Sequence, residues 1–246
     1  MNAPLLARLL DGQTPHASEV SFIADRLFEA TTPEVEETAW ILALVPHRFD
    51  PLVLRTFART MRARAVPFRE TPASRTVDLC GSGGAQRATF NVSTTAAFVV
   101  RAAGILVAKH GNRSARGHTG STDLLEALGL PVADSVEFAR ESFRRFGLAF
   151  LHAPLFHPAT RRAASVRRQL GVPTVFNLLG PLTNPARVRC QLVGCADPKS
   201  AAVLAQVLPQ LGVRRGLTVT GKDGSDEWDP TGTTLVWGWR DGERFR

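Results

Sequence analysis

The segment from residue 76 to residue 104 constrains the fold most, because it sets a strand, a glycine-rich loop and a helix in direct succession. Its β-branched start, "TVDL", is followed one residue later by "GSGG" and then by an apolar helical pattern. Glycines after a strand let the backbone approach an anion closely, and the next helix offers unpaired N–H groups and a positive dipole end. The segment therefore predicts an anion site at the carboxyl end of a strand, although a G-x-G-G loop also serves as a plain tight turn.

Strand and helix patterns alternate from residue 75 onward. This alternation implies a mostly parallel central sheet with ligands at the carboxyl ends of its strands, so we expect the α/β class. Pro209 argues against the last turn of the helix predicted over residues 198–211, because proline cannot donate a helical hydrogen bond. The predicted strands after "TVDL" are "ILVA", "LAFLH", "CQLVG", "LTVTG" and "TTLVWGW", and the predicted helices are 93–104, 121–128, 136–146 and 198–211.

The first 65 residues carry helical patterns only. "PLLARLL" and "SEVSFIADRLFEA" repeat apolar residues at helical spacing. Thr32 before Pro33, and Asp50 before Pro51, are typical of helix starts with a capping residue and proline in the first turn. A further helix is predicted in "PATRRAASVRRQLG", residues 158–171.

These patterns divide the chain into two expected domains. Residues 1–66 with 158–186 form a small helical domain, and residues 75–157 with 187–246 form a larger α/β domain. Residues 67–74, "PFRETPAS", have the composition of a linker or hinge. We expect the active site in the cleft between the two domains.

Composition limits the environment and the cofactor classes. The longest apolar run is broken by Arg101, and the N-terminus has no basic and apolar leader pattern, so a cytoplasmic protein with no membrane partner is expected. Three cysteines without a C-x-x-C spacing do not predict a disulfide framework or a zinc site.

The formal net charge of +8 raises the question of a nucleic-acid partner. Only three of the thirty basic residues are lysines, and the arginines are spread along the chain without a basic tail. This distribution favours solvated faces, or a pocket for a polyanionic small molecule, over a nucleic-acid surface. A nucleic-acid-binding protein that kept the fold and lost catalysis is the alternative from another class.

Two segments carry concentrated hydrogen-bond donors. Lys109, His110, Asn112 and Arg113 occur within five residues just after a predicted strand, which favours an anion pocket over four unrelated surface residues. Asn91, Ser93 and Thr94 stand at a predicted helix start, where they either cap the helix or bind phosphate and ribose.

Two further groups pair charge with position. Arg161, Arg162, Arg167 and Arg168 share one helix, and one of them could hold a carboxylate in a bidentate grip while the others are solvated. Asp226 and Glu227 are adjacent acids in a loop after a strand. Such a pair is often plain surface, but opposite a phosphate pocket it becomes a candidate Mg²⁺ site.

The order and spacing of these segments resemble the anthranilate phosphoribosyltransferase family. The resemblance covers nearly the whole chain through "GSGG", "TFNVST", "KHGNR", "GSTDLLEALG", "HPA", "VRRQLG", "FNLLGPLTNPA" and "DE". It implies a Mg²⁺-dependent glycosyltransferase of tryptophan biosynthesis. Such an enzyme moves phosphoribose from phosphoribosyl pyrophosphate to the amine of anthranilate and releases pyrophosphate. It also implies two domains and a homodimer that pairs through the helical domain.

The resemblance assigns expected roles to residues of this sequence. Lys109, Asn112 and Arg167 are the expected catalytic residues, acting by positioning and charge because the aromatic amine needs no strong base. The expected donor-binding residues are Gly81, Gly84, Ala85, Thr89, Asn91, Val92, Ser93, Thr94, Lys109, Gly117 and Ser121. The expected anthranilate-binding residues are Gly81, His110, Asn112, His157, Arg167, Gly180 and Pro181, and the expected Mg²⁺ ligands are Ser93, Asp226 and Glu227.

The sequence departs from the family pattern at four positions, one of which, Ser82 for the usual threonine, keeps the hydroxyl. Ala85 stands where the family has aspartate, Gln86 where it usually has glycine, and His118 where it usually has lysine. A methyl group accepts no hydrogen bond and a neutral histidine removes one positive charge, so we expect altered donor affinity or Mg²⁺ dependence.

Two alternatives within the same two-domain plan remain. One is a nucleoside phosphorylase, against which "KHGNR" and "FNLLGPLTNP" argue, and the other is a phosphoribosyltransferase with a different aromatic substrate. Related enzymes continue past the position of residue 246, so we also expect a C-terminally truncated member or a fragment of a longer product. "RDGER" predicts a hairpin turn near that end.

Overall fold

A sheet of seven strands organises the molecule in the computed structural model, which describes residues 1–83, 90–113, 119–132 and 134–246 and omits the side chain of Arg162. The strand order is β3-β2-β1-β4-β5-β6-β7. The strands are β1 (Thr76–Gly81), β2 (Leu106–Gly111), β3 (Leu148–His152), β4 (Cys190–Gly194), β5 (Arg215–Gly221), β6 (Thr234–Arg240) and β7 (Glu243–Phe245).

The first five strands run parallel, and β6 and β7 are added antiparallel at one edge. This confirms the predicted mostly parallel central sheet of an α/β protein. From β1 the strand order proceeds to one side through β2 and β3 and to the other side through β4 and β5. The order therefore reverses between β1 and β4, although the strands stay parallel. Gly81 pairs with Gly194 at the carboxyl ends of these strands. Such a switch point opens a crevice in which α/β proteins bind ligands.

Helices flank the sheet and also form a separate group at the N-terminus. The group contains α1 (Ala3–Leu10), α2 (Ala17–Phe28), α3 (Glu34–Ala43) and α4 (Pro51–Ala63), with α9 (Arg161–Leu170) and α10 (Phe176–Leu182) packed against it. The remaining helices are α5 (Val92–Ala102), α6 (Ser121–Ala127), α7 (Val136–Phe146), α8 (Ala153–Phe156) and α11 (Pro198–Gln210). Across the described ranges, none of these helices has both the length and the apolar character needed to cross a membrane.

The predicted capping residues are confirmed in one case and wrong in another. The Asp50 carboxylate accepts from the amide of Leu52 at 2.7 Å, so α4 begins at Pro51 as predicted. Helix α3 instead begins at Glu34 with Pro33 in the capping position. The Thr32 hydroxyl donates to the carbonyl of Arg26 at 2.6 Å, which binds it to the preceding turn rather than to α3.

Several helix and strand boundaries in the structure differ from the predicted ones. Strand β2 continues to Gly111, so Lys109 and His110 lie within the strand instead of after it. The helix predicted for 158–171 is a short 3₁₀ turn followed by α9, and the left-handed Gly171 ends it. Pro209 lies inside α11, which continues to Gln210.

The main hydrophobic core runs without interruption from the helical group to the sheet. It joins Trp40 and Phe57 of the N-terminal helices to Phe176, Leu204 and Trp239. Phe28, Phe57 and Phe176 meet edge to face with ring centroids 6.1–6.2 Å apart. Helix α10 is therefore held by the helical group at its start while its end reaches β1 and β2.

The segment expected to be a linker, residues 67–74, is anchored at Phe68. This side chain is buried and its ring meets Phe143 and Phe156 at centroid distances of 5.8 and 6.0 Å. The division into domains 1–66 with 158–186 and 75–157 with 187–246 stays our proposal. Residues of both proposed domains belong to one hydrophobic core.

The predicted hairpin near residue 241 is confirmed. Asp241 and Gly242 adopt φ values of 47° and 102°, as a two-residue turn between twisted strands requires. Trp239 is buried and Trp237 packs against the same core, so both indoles face α11.

Candidate active site

The acidic loop after β5 reaches the crevice between β1 and β4. The Asp226 Oδ2 atom lies 3.3 Å from the position that a Cβ atom on Gly81 would occupy. A Cβ atom on Gly194 would lie 1.8 Å from the Asp226 carbonyl oxygen, which is sterically impossible. Glycine at the end of β4 is therefore what lets Asp226 and Glu227 approach the switch point.

The two acids are half-buried and destabilise one another as anions. Burial, followed by the charge of Asp226, raises the pKa of Glu227 to about 7, and burial also raises the pKa of Asp226. Neither carboxylate forms an ion pair within the described ranges. A divalent cation would relieve this repulsion, so the pair fits the predicted Mg²⁺ site.

Lys109 connects this acidic pair to the start of α5. Its Nζ atom donates to the Leu79 carbonyl oxygen and, at 3.1 Å, to the Ser93 hydroxyl. The side chain is 3% exposed, and burial lowers its pKa while the charges of Asp78, Cys80 and Glu227 oppose that shift. The structure thus brings Lys109, Ser93 and Glu227 into one electrostatic cluster.

The start of α5 has polar groups that the helix itself does not use. Asn91 occupies the capping position, but its side chain makes no capping hydrogen bond. Thr94 is buried, and its hydroxyl has no hydrogen-bond partner among the residues described. Val92 is the first helical residue, so the positive end of the helix dipole lies at Asn91, Val92 and Ser93.

His110 lies on the opposite face of β2 from Lys109, as strand alternation requires. Its Nδ1 atom is 3.0 Å from the Gly180 carbonyl oxygen, and its ring centroid is 5.2 Å from that of His157. Burial lowers the pKa of His110 to about 4. Burial, and then the charge of His110, lowers the pKa of His157 to about 3. Four of the seven expected acceptor-side residues, His110, His157, Gly180 and Pro181, are therefore neighbours, and two of them carry neutral imidazoles.

Arg167 is the one arginine of the described α9 side chains that is half-buried. Its guanidinium carbon lies 5.1 Å from the centroid of the Phe176 ring, and burial lowers its pKa. Arg161 and Arg168 are exposed, and the side chain of Arg162 lies outside the described part. This placement fits the hypothesis that one arginine of the four serves the site.

Asn112 and Ser121 meet where β2 ends. The Ser121 hydroxyl donates to the Asn112 carbonyl oxygen at 3.2 Å. The sequence grouped Arg113 with these donors. In the structure its guanidinium donates to Asp123 and Glu126 instead, with Nη2 2.6 Å from the Glu126 Oε1 atom. The interpretation of Arg113 as a free donor for an anion is therefore wrong, because an acidic pair on α6 satisfies it.

Other expected site residues lie outside the described residues. These are Gly84, Ala85, Thr89 and Gly117, together with the unusual Gln86 and His118.

A buried polar network behind the site was missed by the sequence reasoning. The Asp78 carboxylate accepts from the His110 amide at 3.1 Å and from the Gln191 side-chain amide at 3.2 Å. The same Gln191 nitrogen donates to the Pro181 carbonyl oxygen at 2.7 Å. The signal was available, since an acid in the middle of an apolar parallel strand needs buried partners.

The neutral histidines predict a stability loss in acid. Unfolded histidine takes up a proton near pH 6.5 and folded His157 only near pH 3, so the unfolded chain binds more protons between these values. Stability then falls as the pH drops. Between pH 7 and pH 5, we expect the free energy of unfolding of His157→Gln, measured by urea titration, to fall by about 2 kcal/mol less than that of the parent chain. The exposed His16→Gln is the control, and an identical pH slope in parent and His157→Gln would refute the assignment.

Comparison with known proteins shows which family this chain resembles over most of its length. Residues 73–246 match the family model described as "Glycosyl transferase family, a/b domain". The chain is 45% identical over 233 residues to the anthranilate phosphoribosyltransferase of Moorella thermoacetica, covering 94% of this chain and 68% of the relative. It is 43% identical to that of Syntrophobacter fumaroxidans, with the same coverage of 94% and 68%.

Solved structures show the same similarity. The crystal structure of anthranilate phosphoribosyltransferase from Thermus thermophilus superposes with a TM-score of 0.83 at 37% identity, covering 94% of this chain and 72% of that one. The Saccharomyces cerevisiae enzyme in complex with PRPP and Mg gives a TM-score of 0.84 at 26% identity, covering 97% and 71%. The chain therefore belongs to the anthranilate phosphoribosyltransferase family.

Proposed function

We propose that this chain transfers the phosphoribosyl group from phosphoribosyl pyrophosphate to the amine of anthranilate, releasing pyrophosphate, as a step of tryptophan biosynthesis. The observation that carries the proposal is the pairing of two unlike surfaces along β2. Lys109 faces the acidic pair and the start of α5, while His110 faces Gly180 and His157. One face suits a magnesium-bound pyrophosphate and the other an uncharged aromatic ring.

The donor side is proposed to hold the phosphates and the ribose. Asn91, Ser93 and Thr94 offer side-chain groups at the positive end of α5, and Lys109 supplies the buried positive charge. Gly81 leaves room for Asp226 where β1 ends, and Ser121 lies beside Asn112 at the end of β2. Family resemblance adds Val92 and the residues outside the described part, namely Gly84, Ala85, Thr89 and Gly117.

Magnesium is the proposed cofactor, held by Ser93, Asp226 and Glu227. No group of three or more His, Cys, Asp or Glu side chains converges on one point in the described part, which argues against a closed, all-protein metal centre. Mg²⁺ typically takes one or two carboxylates and completes its shell with water and substrate phosphates. When bound, the ion would neutralise the charge of the departing pyrophosphate.

The acceptor side is proposed to hold the anthranilate. The ring would lie against Gly180 and Pro181 between the neutral imidazoles of His110 and His157, which present little charge to an apolar surface. Arg167 would hold the carboxylate, since its guanidinium is half-buried and pairs with no acid among the described residues. The Asn112 side chain would orient the amine at the boundary of the two faces.

The reaction needs charge stabilisation more than proton transfer. Breaking the bond at ribose C1 leaves positive charge on the sugar and negative charge on pyrophosphate. Lys109 and the N-terminal amides of α5 are fixed before the reaction, so they stabilise the leaving group without reorganising. The aromatic amine is already neutral at pH 7, so alignment by Asn112 and Arg167 supplies the remaining advantage.

The direct test mixes the chain with phosphoribosyl pyrophosphate, Mg²⁺ and anthranilate and follows the loss of anthranilate fluorescence. We expect enzyme-dependent loss that stops when the phosphoribosyl donor is omitted. Parallel reactions with a nucleoside and phosphate test the phosphorylase alternative. Turnover of the nucleoside without turnover of anthranilate would refute the proposed function.

We predict that Arg167→Ala raises the KM for anthranilate about tenfold or more, because a charge-assisted hydrogen bond to the carboxylate is lost. The KM for phosphoribosyl pyrophosphate should stay within about twofold. The exposed neighbour Arg168→Ala is the matched control and should resemble the parent chain. An unchanged anthranilate KM in Arg167→Ala would contradict the assignment.

We predict that Asp226→Asn combined with Glu227→Gln weakens activation by Mg²⁺ without lowering the melting temperature. Burial disfavours the charged forms of both acids, so neutral amides of the same shape should be tolerated by the fold. Asp223→Asn, an exposed acid in the same loop, is the control. Activity of the double variant that follows the parent's Mg²⁺ titration would show that the pair binds no catalytic ion.

A cytoplasmic homodimer that pairs through the helical group is also part of the proposal. Leu10, Phe22, Val35 and Leu42 are exposed apolar side chains on that group, and burying them in an interface would favour association. Sedimentation of the chain as a monomer at micromolar concentration would contradict the dimer.

A further inference from the structure

A cavity lined by none of the expected site residues lies where the chain passes between the helical group and the sheet. Its volume is about 230 Å³. It is bounded by the last turn of α4, by the segment that follows it and by the turn that leads into β4. The lining residues are Arg62, Ala63, Ala65, Pro67, Arg69, Pro185 and Arg187.

Three arginines line this cavity, and none of their guanidinium groups has an acidic partner in the described ranges. The nearest acid in the sequence, Glu70, is bound by Arg140, with its carboxylate 3.2 Å from the Arg140 Nε atom. The stretches 84–89 and 114–118 contain neither aspartate nor glutamate, so they offer no hidden counter-charge. The lining of the cavity therefore contains three positive charges without an acidic partner among the described residues.

Arg62 is fixed in place rather than free to move into solvent. Its Nε atom donates to the Leu182 carbonyl oxygen at 2.7 Å and its Nη1 atom to the Leu211 carbonyl oxygen at 2.8 Å. These bonds leave the Nη2 donors of Arg62 without a hydrogen-bond partner among the described residues. Burial, and then the charge of Arg187, lowers the pKa of Arg62 to about 10, so the folded chain holds this cation at an energetic cost.

Arg187 is held in an uncommon backbone conformation. Its φ is 49°, in the left-handed region that non-glycine residues seldom adopt, and its amide donates to the Asn184 carbonyl oxygen at 3.1 Å. Strained residues of this kind often occur at ligand sites. Arg187 lines the same cavity as Arg62, which lies in the last turn of α4.

We propose that this cavity binds a small phosphate-class anion, either inorganic phosphate or pyrophosphate. The planar, multiply donating guanidinium matches the oxygens of a phosphoryl group, and three positive charges match a multivalent anion better than chloride. A volume of about 230 Å³ is below the range of drug-sized sites, roughly 300–1,000 Å³, so the occupant is small.

An anion here would act on the segments that position the acceptor side. Arg62 holds Leu182 at the end of α10, two residues after Gly180, whose carbonyl oxygen meets His110. A bound anion would hold the segment after α4 and the turn before β4 in place. It would also reduce the positive charge of Arg62 that acts on His110 and His157. Binding at this cavity needs no Mg²⁺, which separates it from the active site.

The test is isothermal titration of the 246-residue chain with phosphate, pyrophosphate and sulfate in EDTA, with NaCl used to hold the ionic strength constant. The variant is Arg69→Gln with Arg187→Gln, which removes two exposed charges of the cavity and leaves the Arg62 hydrogen bonds intact. The matched control is Arg240→Gln with Arg244→Gln, which removes two exposed charges at the far edge of the sheet.

We expect saturable binding to the parent and control chains, and affinity lower by about tenfold or more in the cavity variant. Stronger binding of phosphate than of pyrophosphate would identify a single phosphoryl group as the occupant, and the reverse a diphosphate. If the double variant does not fold, the single variant Arg69→Gln is tested instead. We expect it to lose part of the anion affinity that the double variant loses. Binding no tighter than that of chloride, or equal affinity in cavity variant and control, would overturn the proposal.

Discussion

The buried carboxylate of Asp78 is the interaction on which the arrangement of the site depends. It has no solvent exposure, yet it accepts hydrogen bonds from the β2 backbone at His110 and from Gln191 on β4. Gln191 in turn holds the end of α10 through Pro181. Burial raises the pKa of Asp78, and the charge of Lys109 is the largest effect that opposes this shift. One side chain thus joins three strands, a helix and the buried lysine.

This network explains how two chemically different faces can be so close. Lys109 and His110 are consecutive in β2, so their side chains leave the sheet on opposite sides. The lysine reaches Ser93 at the start of α5, and the histidine reaches Gly180 in α10. Asp78 anchors the backbone between them, because the His110 amide is its donor. The charged side chain of Lys109 thus leaves one side of the strand and the neutral imidazole of His110 the other.

Much of this could be predicted because it rests on local chemistry. Glycines after a strand, Asp50 before a proline and short apolar segments such as "LAFLH" each act over a few residues, and the corresponding elements are present. What could not be predicted depends on partners distant in sequence. Arg113 is taken by Glu126, Thr32 bonds back to Arg26, and Asp78 needs Gln191, which is 113 residues away. The sequence shows these residue types but not which pairs meet.

The alternation in β2 also restricts how the chain can change in length. Inserting or deleting one residue before Lys109 would exchange its face with that of His110, placing a cation against Gly180 and an imidazole beside the acidic pair. A loop would absorb such a change, but a strand paired on both sides cannot, because its register with β1 and β3 is fixed. Insertions and deletions in relatives of this chain should therefore fall outside β2, and the spacing between residues 106 and 111 should be among the least variable of its dimensions.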